Sequence, residues 1–281
     1  MKKRAWFSLL MVCILLTACN IHSDKNKDDS DKTRDQQGQK VAKNVQQENS
    51  KQKDNNKDYE VSNQKSNKEE KIEPKYKVAD NWSIVPIDEA NEKVVLLTFD
   101  DAPDEHALDM AKTLKKLDAN AIFFVNGHFL ETPEKKEILK QIHDMGFLIG
   151  NHTYSHAYLP DLSKKEQKKE IVRVNDMVKA IIGERPKFFR APNGANTDYT
   201  KKVAKKEDMI LMNWSYGYDW NEEYMSKEAI TDIMLHTELL TSSANLLMHD
   251  REWTAAALKD IVKGLRDKGY EMVDPRLIKT R

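Results

Sequence analysis

The sequence predicts an α/β domain, a distorted parallel barrel of about seven strand–helix units, entered through a long polar tether. Three observations carry this prediction. From about residue 93 onward, short apolar runs alternate with helical periodicities, the pattern of a mainly parallel sheet with helices outside. Polar and titratable residues gather just past the apolar runs, where a parallel barrel builds its functional site. Residues 1–75 carry neither feature. An open doubly wound sheet is the competing architecture.

The chain has 281 residues, with 46 Lys+Arg balanced by 46 Asp+Glu. Zero formal charge offers no general reason to expect a nucleic-acid partner. The cysteines are Cys13 and Cys19, so the later sequence holds no disulfide and no thiolate metal site. Residues 1–18 read as a signal peptide. Lys2, Lys3 and Arg4 precede an apolar stretch, Ala5 to Leu16, that is short for a membrane span. Leu16-Thr17-Ala18-Cys19 resembles a bacterial lipobox, which implies cleavage before Cys19 and lipidation of that residue. An anchor on the outer face of the plasma membrane follows. Residues 19–75 are rich in Lys, Asp, Asn, Gln, Ser and Glu, with Tyr59 as their sole aromatic. They bury too little apolar surface to offset ordering entropy. A disordered coil of ~55 residues spans about 40 Å end to end. Residues 76–281 form the globular domain.

Within that domain Lys93 to Thr98 reads as the first buried strand. Glu105 to Asp118 follows as a helix, with Ala107, Ala111, Leu114 and Leu117 on one face. Ala121 to Val125 is the second strand. Glu134 to Met145 is a helix stopped by Gly146, and Phe147 to Ile149 is the third strand. Ser163 and Glu166 make a capping box ahead of a helix carrying Ile171, Val174, Val178 and Ile181, closed by Gly183. Phe188-Phe189, Ile210 to Met212, Asn245 to Met248 and Tyr270 to Val273 read as further strands. Helices near 198–206, 226–240 and 254–268 lie between them.

The titratable residues fall into place on this scaffold. Asp100 and Asp101 follow the first strand, and His152 and His156 follow the third. Arg190 follows the fourth, Asp219-Trp220 lie shortly beyond the fifth, and His249-Asp250 follow the sixth. Two imidazoles at i and i+4 can face one ion from a helical turn or a tight loop. Unlike the helical zinc-protease motif, no Glu follows the first His, so a base comes from elsewhere. Asp100-Asp101 can supply both a third ligand and that base. Two His and one carboxylate leave a position open for water.

With these residues in hand, the domain resembles a polysaccharide deacetylase of carbohydrate esterase family 4, the NodB homology domain, over about Val94 to Val273. Thr98-Phe99-Asp100-Asp101 resembles the family's first motif, which implies Asp100 as general base and Asp101 as metal ligand. His152-Thr153-Tyr154-Ser155-His156 resembles the second, with both His as ligands. Arg190-Ala191-Pro192-Asn193-Gly194 resembles the third, whose Arg orients the base. Asp219-Trp220 resembles the fourth, whose Asp tunes the catalytic His and whose Trp walls the pocket. Leu247-Met248-His249 resembles the fifth, with Leu247 against the acetyl methyl and His249 as general acid. Ala102 stands where the family usually has Gly, a change that matters only if the position needs positive φ. Asn193 stands where it usually has Tyr, whose backbone N–H helps hold the oxyanion.

The resemblance implies a hydrolase that removes N-acetyl groups from a cell-wall or surface polysaccharide, with peptidoglycan N-acetylglucosamine favoured. It implies a divalent metal, Zn²⁺ first and Co²⁺, Mn²⁺ or Fe²⁺ as alternatives. The expected partners are the glycan and the membrane, and the expected state is a monomer. A non-catalytic glycan-binding lipoprotein and an O-acetyl esterase are the rival readings. Tyr216 and Tyr218 are candidates for sugar stacking or for core, and His128 is a further cleft candidate.

Overall fold

The computed structural model describes residues 73–280. The proposed signal peptide, Cys19 and almost all of the polar tether lie outside the described residues.

Two short strands open the domain, β1 (Tyr76–Val78) and β2 (Ile84–Pro86), paired antiparallel. Three residues each leave too little alternation for a strand to be read from sequence. Then follow β3 (Val94–Ala102), α1 (Ala107–Lys116), β4 (Ala121–Val125), α2 (Pro133–Asp144) and β5 (Leu148–Asn151). After them come α3 (Lys164–Ile182), β6 (Phe188–Phe189), α4 (Asp198–Lys206) and β7 (Ile210–Leu211). The chain ends with α5 (Lys227–His236), β8 (Ala244–His249), α6 (Glu252–Asp267) and β9 (Glu271–Met272).

Local sequence accounts for the boundaries. Ser163 and Glu166 cap α3 reciprocally, and Gly183 ends it at φ 88°. Thr132 accepts from the Lys135 N–H at the start of α2, with Pro133 in the first turn, where a missing N–H costs nothing. The strands predicted after β3 match closely, but β3 itself runs four residues further than its apolar run, through Asp100 and Asp101 to Ala102.

The seven-stranded sheet has the order β7-β6-β5-β4-β3-β8, and β9 pairs with the start of β3. Every pairing in it is parallel. The wall between β7 and β8 is closed by chain outside the named strands. Tyr216 bridges Leu246, Ser215 donates to the Asn245 carbonyl at 2.8 Å, and Leu247 donates to the Tyr216 carbonyl at 2.8 Å. The barrel is therefore distorted, with an irregular seam in place of one ladder.

Alternation along β3 divides the core. Val95, Leu97 and Phe99 pack with the helices, α6 among them through Leu258, Ile261 and Leu265. Val94 and Leu96 face inward with Ile122, Phe124 and Phe188. The β1–β2 hairpin joins this inner cluster through Tyr76 and Ile84. Ile84 N–H bonds the Ser243 carbonyl at 2.7 Å, and Ser243 N–H bonds Val94 at 2.8 Å. The hairpin thus plugs the end of the barrel where β3 and β8 begin. The opposite end, where the strands finish, is left for polar residues.

Gly150 on β5 shows how tight the inner packing is, because a Cβ there would collide with the ring of Phe124. Phe124 is fully buried and has no room to retreat. Gly150→Ala is therefore expected to cost about 1–3 kcal/mol by overpacking. Urea unfolding checks this, and Phe124→Leu in the same chain should return part of the loss.

Candidate active site

At the finishing end of the strands lies a cavity of about 410 Å³ lined by Asp100, Asp101, His152, His156, Asn193, Trp214, Trp220, Leu247, His249 and Arg251. Eight of these were singled out in the sequence, and the other two proposed residues, Arg190 and Asp219, stand directly behind them.

The two carboxylates reach the cavity by different means. Inward positions on β3 run Val94, Leu96, Thr98, Asp100, so simple alternation delivers Asp100. Asp101 should then face the helices. Instead the register with β4 slips between Phe99 and Ala102, and Asp101 takes φ 61°. This irregularity re-aims the side chain, as a strand-end bulge does. Ala102 is absent from the positive-φ residues, so glycine's freedom is not required there.

The HxxxH segment is a tight loop, not a helical turn. Thr153 and His156 have φ 68° and 56°, conformations uncommon outside glycine. Asn151 pins the loop by accepting from the Thr153 N–H at 2.9 Å while donating to Ile171 O at 2.8 Å and Asn175 Oδ1 at 2.7 Å. Asn126 donates to the His152 carbonyl at 2.7 Å.

The donor atoms of Asp101, His152 and His156 all lie within 4.8 Å of one another. His152 donates from Nδ1 to the Arg190 carbonyl at 2.9 Å, which leaves the Nε2 lone pair for a metal. Burial lowers the His152 pKa below the ordinary histidine value, against the pull of Asp100 and Asp101. A neutral ring with its outer nitrogen free and a carboxylate opposite suits a first-row divalent ion. The residues present fit such an ion.

Arg190 is wholly buried. It donates to Met212 O (3.2 Å), Thr98 Oγ1 (2.9 Å), Asp100 Oδ1 (2.7 Å) and Asn213 O (2.9 Å). Its guanidinium lies 4.3 Å from the centre of the Phe124 ring. Thr98 passes the contact on to Leu246 O at 2.7 Å. Asp100 Oδ1 is thereby committed, while Oδ2 lies 3.5 Å from His152 Nε2, beside the donor trio.

The far wall is built on Asp219, which is fully buried. Its Oδ1 accepts from His249 Nδ1 at 2.7 Å. Its Oδ2 accepts from the His249 N–H at 2.6 Å and from Thr254 Oγ1 at 2.7 Å. Burial alone would depress the His249 pKa. The hydrogen bond and charge of Asp219, joined by Asp100 and Asp101, outweigh it and raise the pKa above the ordinary value. Trp220 meets the His249 ring edge-on at 5.5 Å and Trp214 at 6.3 Å.

Asn193 sits at φ 55°, which Asn tolerates better than most residues. The turn's hydrogen bonds are donated by Gly194 and Ala195, leaving the Asn193 N–H outside them. Tyr216 and Tyr218 belong to the core, with hydroxyls bonded to Met234 O and Thr237 Oγ1. His128 bonds Tyr154 O and does not line the cavity. The sequence reading named Thr98 and Asp250 without giving either a role, and it passed over Thr254, Trp214 and Arg251. Asp250 accepts from the Asp104 N–H at 2.6 Å and the His106 N–H at 2.7 Å, which ties the loop after β3 to the end of β8. Its place directly after His249 was the one available signal.

Fold and site together define a barrel with the parts of a metal-assisted hydrolase: a three-donor set, a held carboxylate on one side and a held imidazole on the other. Comparison with known proteins narrows the class. The family model for polysaccharide deacetylase matches residues 88–211. A Bacillus cereus protein, peptidoglycan-N-acetylglucosamine deacetylase, is 32% identical over 65% of this chain and 67% of its own length. The Bacillus subtilis peptidoglycan-N-acetylmuramic acid deacetylase PdaC is 32% identical over 74% of this chain, which spans 43% of that longer protein. The crystal structure of a carbohydrate esterase family 4 pseudoenzyme from Bacillus anthracis superposes with a TM-score of 0.59 at 28% identity, covering 65% of this chain and 63% of the other. The chain belongs to the polysaccharide deacetylase family.

Removing one partner of the buried Arg190–Asp100 pair strands a charge. Arg190→Met is expected to destabilise the domain by about 3–5 kcal/mol. Adding Asp100→Asn removes the stranded charge, so the double variant should unfold at higher denaturant than Arg190→Met alone.

Proposed function

We propose that this domain hydrolyses the N-acetyl groups of amino sugars in a cell-wall glycan. The observation that carries the reading is the pairing of two opposed walls. One holds a carboxylate with a single free oxygen beside three metal donors, and the other holds an imidazole whose inner nitrogen is already bonded. Since a family member can be a pseudoenzyme, the residues decide, and none of these parts is missing here.

Asp101, His152 and His156 would hold a divalent ion, Zn²⁺ as first choice. When bound, it supplies Lewis-acid polarisation of the acetyl carbonyl and makes water more acidic. Asp100 Oδ2 takes a proton from water as the water oxygen bonds the acetyl carbon. Arg190 keeps Oδ1 occupied and fixes the carboxylate plane. The Asn193 N–H supports the developing oxyanion. His249 Nε2 gives its proton to the amine nitrogen as the carbon–nitrogen bond breaks, and Asp219 stabilises the protonated ring beforehand. Leu247 and Trp220 form the cup for the methyl group.

We further propose that the chain is exported by a signal peptide over residues 1–18 and held on the outer face of the membrane by lipidation at Cys19, with the tether over 19–75 giving reach to the wall, and that it acts as a monomer. Their support is the lipobox and the tether's composition. An O-acetyl group would meet the same water attack, but protonation of an amine leaving group is what a His held by Asp219 supplies.

Acetate release from chitooligosaccharides and from peptidoglycan tests the reading. His249→Ala and Asp100→Asn should each lose at least ~100-fold in kcat, the usual worth of acid–base catalysis. Near-normal turnover in either would remove that residue from the mechanism. A second expectation concerns pH. The raised His249 pKa keeps the acid protonated above the ordinary histidine range, so kcat should fall as pH rises through that raised value. Asp219→Asn leaves burial unopposed by its strongest counterweight, and the alkaline limb should move to lower pH. An unmoved limb would mean that Asp219 does not set it.

A further inference from the structure

We propose that Arg251 determines specificity at this site, selecting amino sugars in which the ring carbon next to the acetamido-bearing one carries an ether substituent ending in a free carboxylate. This rests on the deacetylase reading above.

The cations around the cavity are not equivalent. Arg190 is buried and committed to four acceptors. The inner nitrogens of His152 and His249 are bonded to Arg190 O and Asp219. Arg251 lines the cavity and its side chain is 37% exposed. It donates from Nη2 to Asp101 Oδ2 at 2.9 Å and from Nη1 to Asp250 O at 3.3 Å. A guanidinium offers five N–H donors, so several remain for a ligand.

Its charge balance also depends on the site's state. Asp101 turns Oδ2 to Arg251 and Oδ1 to the imidazoles, 3.5 Å from His156 Nε2 and 3.9 Å from His152 Nε2. A divalent ion on those donors draws the carboxylate's charge to itself. Arg251 then keeps the carboxylate of Asp104, whose Oδ2 lies 3.9 Å from Nη1 on the side of the loop after β3, and turns its remaining donors to the cavity, next to where an acetamido group would react.

The base of the side chain is fixed on both sides. Asp250 is buried and accepts two backbone N–H groups. Arg251 immediately precedes α6 as its capping residue, and Trp253 and Thr254 are bonded to Asp219. A charged fork presented from a rigid base loses little entropy on binding. It matches a planar carboxylate through two parallel hydrogen bonds, which a neutral hydroxyl cannot offer.

On a glucosamine ring the acetamido group stands on C2, flanked by the anomeric C1 of the glycosidic bond and by C3, whose oxygen is open to substitution. N-acetylmuramic acid carries its lactyl carboxylate there, and N-acetylglucosamine carries a hydroxyl. The geometry therefore turns the expectation away from N-acetylglucosamine and toward N-acetylmuramic acid whose carboxylate is not amide-linked to peptide.

Peptide-free glycan strands, in which the two sugars alternate, give an internal competition that is independent of how much enzyme is folded or metal-loaded. Mass spectrometry of the digested strands reads the ratio of muramic acid to glucosamine residues that lost acetyl. The zinc-loaded parent should favour muramic acid by roughly tenfold to a hundredfold, the size of one charge-assisted hydrogen bond. Arg251→Gln should bring the ratio to within about twofold of unity, and Arg251→Lys should fall between. Binding to the zinc-loaded Asp100→Asn protein should show the same order for the two monosaccharides, lost when Arg251→Gln is added. An unchanged ratio in Arg251→Gln, or a parent that prefers glucosamine, overturns the proposal while leaving the deacetylase reading intact. No acetyl release from any glycan overturns both.

Discussion

Arg190 has no exposed surface, and the upper end of the barrel is organised around keeping its charge paired. Burying a guanidinium and a carboxylate together is not in itself stabilising, because desolvation offsets much of their attraction. What the pair provides is definition. Arg190 comes from the end of β6, Asp100 from β3, and the carbonyls of Met212 and Asn213 from the chain just past β7. Thr98 extends the set to β8 through Leu246. Four strands therefore meet at a single side chain, which ties their ends into one arrangement. Phe124 beneath it needs the space that Gly150 leaves, so the tight inner packing and the polar site are one construction.

The opposite wall follows the same logic with the opposite outcome. Asp219 accepts three hydrogen bonds, two from His249 and one from Thr254, and holds an imidazole partly open to the cavity instead of a guanidinium sealed beneath it. One wall thus stabilises an anion that can take a proton, and the other a cation that can give one. Between them, Asp101, Thr153, His156 and Asn193 all adopt left-handed backbone conformations. Each costs energy for a residue with a side chain, and such residues concentrate where geometry is constrained by function.

Much of this was legible in the sequence because strand periodicity is short and regular. Once Val94 to Thr98 reads as a buried strand, Asp100 falls at its end without further information, and the same holds for His249 after Leu247. The helix boundaries at Ser163 and Gly183 were equally plain, since their chemistry is local. What escaped depended on contacts between distant segments. Asp101 itself was found as half of the Asp100-Asp101 pair, but the register slip against β4 that brings it to the cavity, against the alternation that delivers its neighbour, was not legible. Arg251 and Thr254 resemble ordinary polar residues at the start of a helix until Asp101 and Asp219 are seen beside them. The β1–β2 hairpin has no periodicity of its own and is defined by the barrel floor it covers.

That floor bears on how the domain can be held. β1 is bridged to Ile278, Lys75 N–H bonds Leu277 O at 2.8 Å, and Lys279 N–H bonds Tyr76 O at 2.7 Å. The incoming and outgoing chain are thus knotted into one seam on the side away from the cavity. A mechanical pull transmitted through either end loads this seam first and spares the reactive pocket. A bead, a fusion partner or a surface attached there leaves the opening free to meet polymer from the other direction.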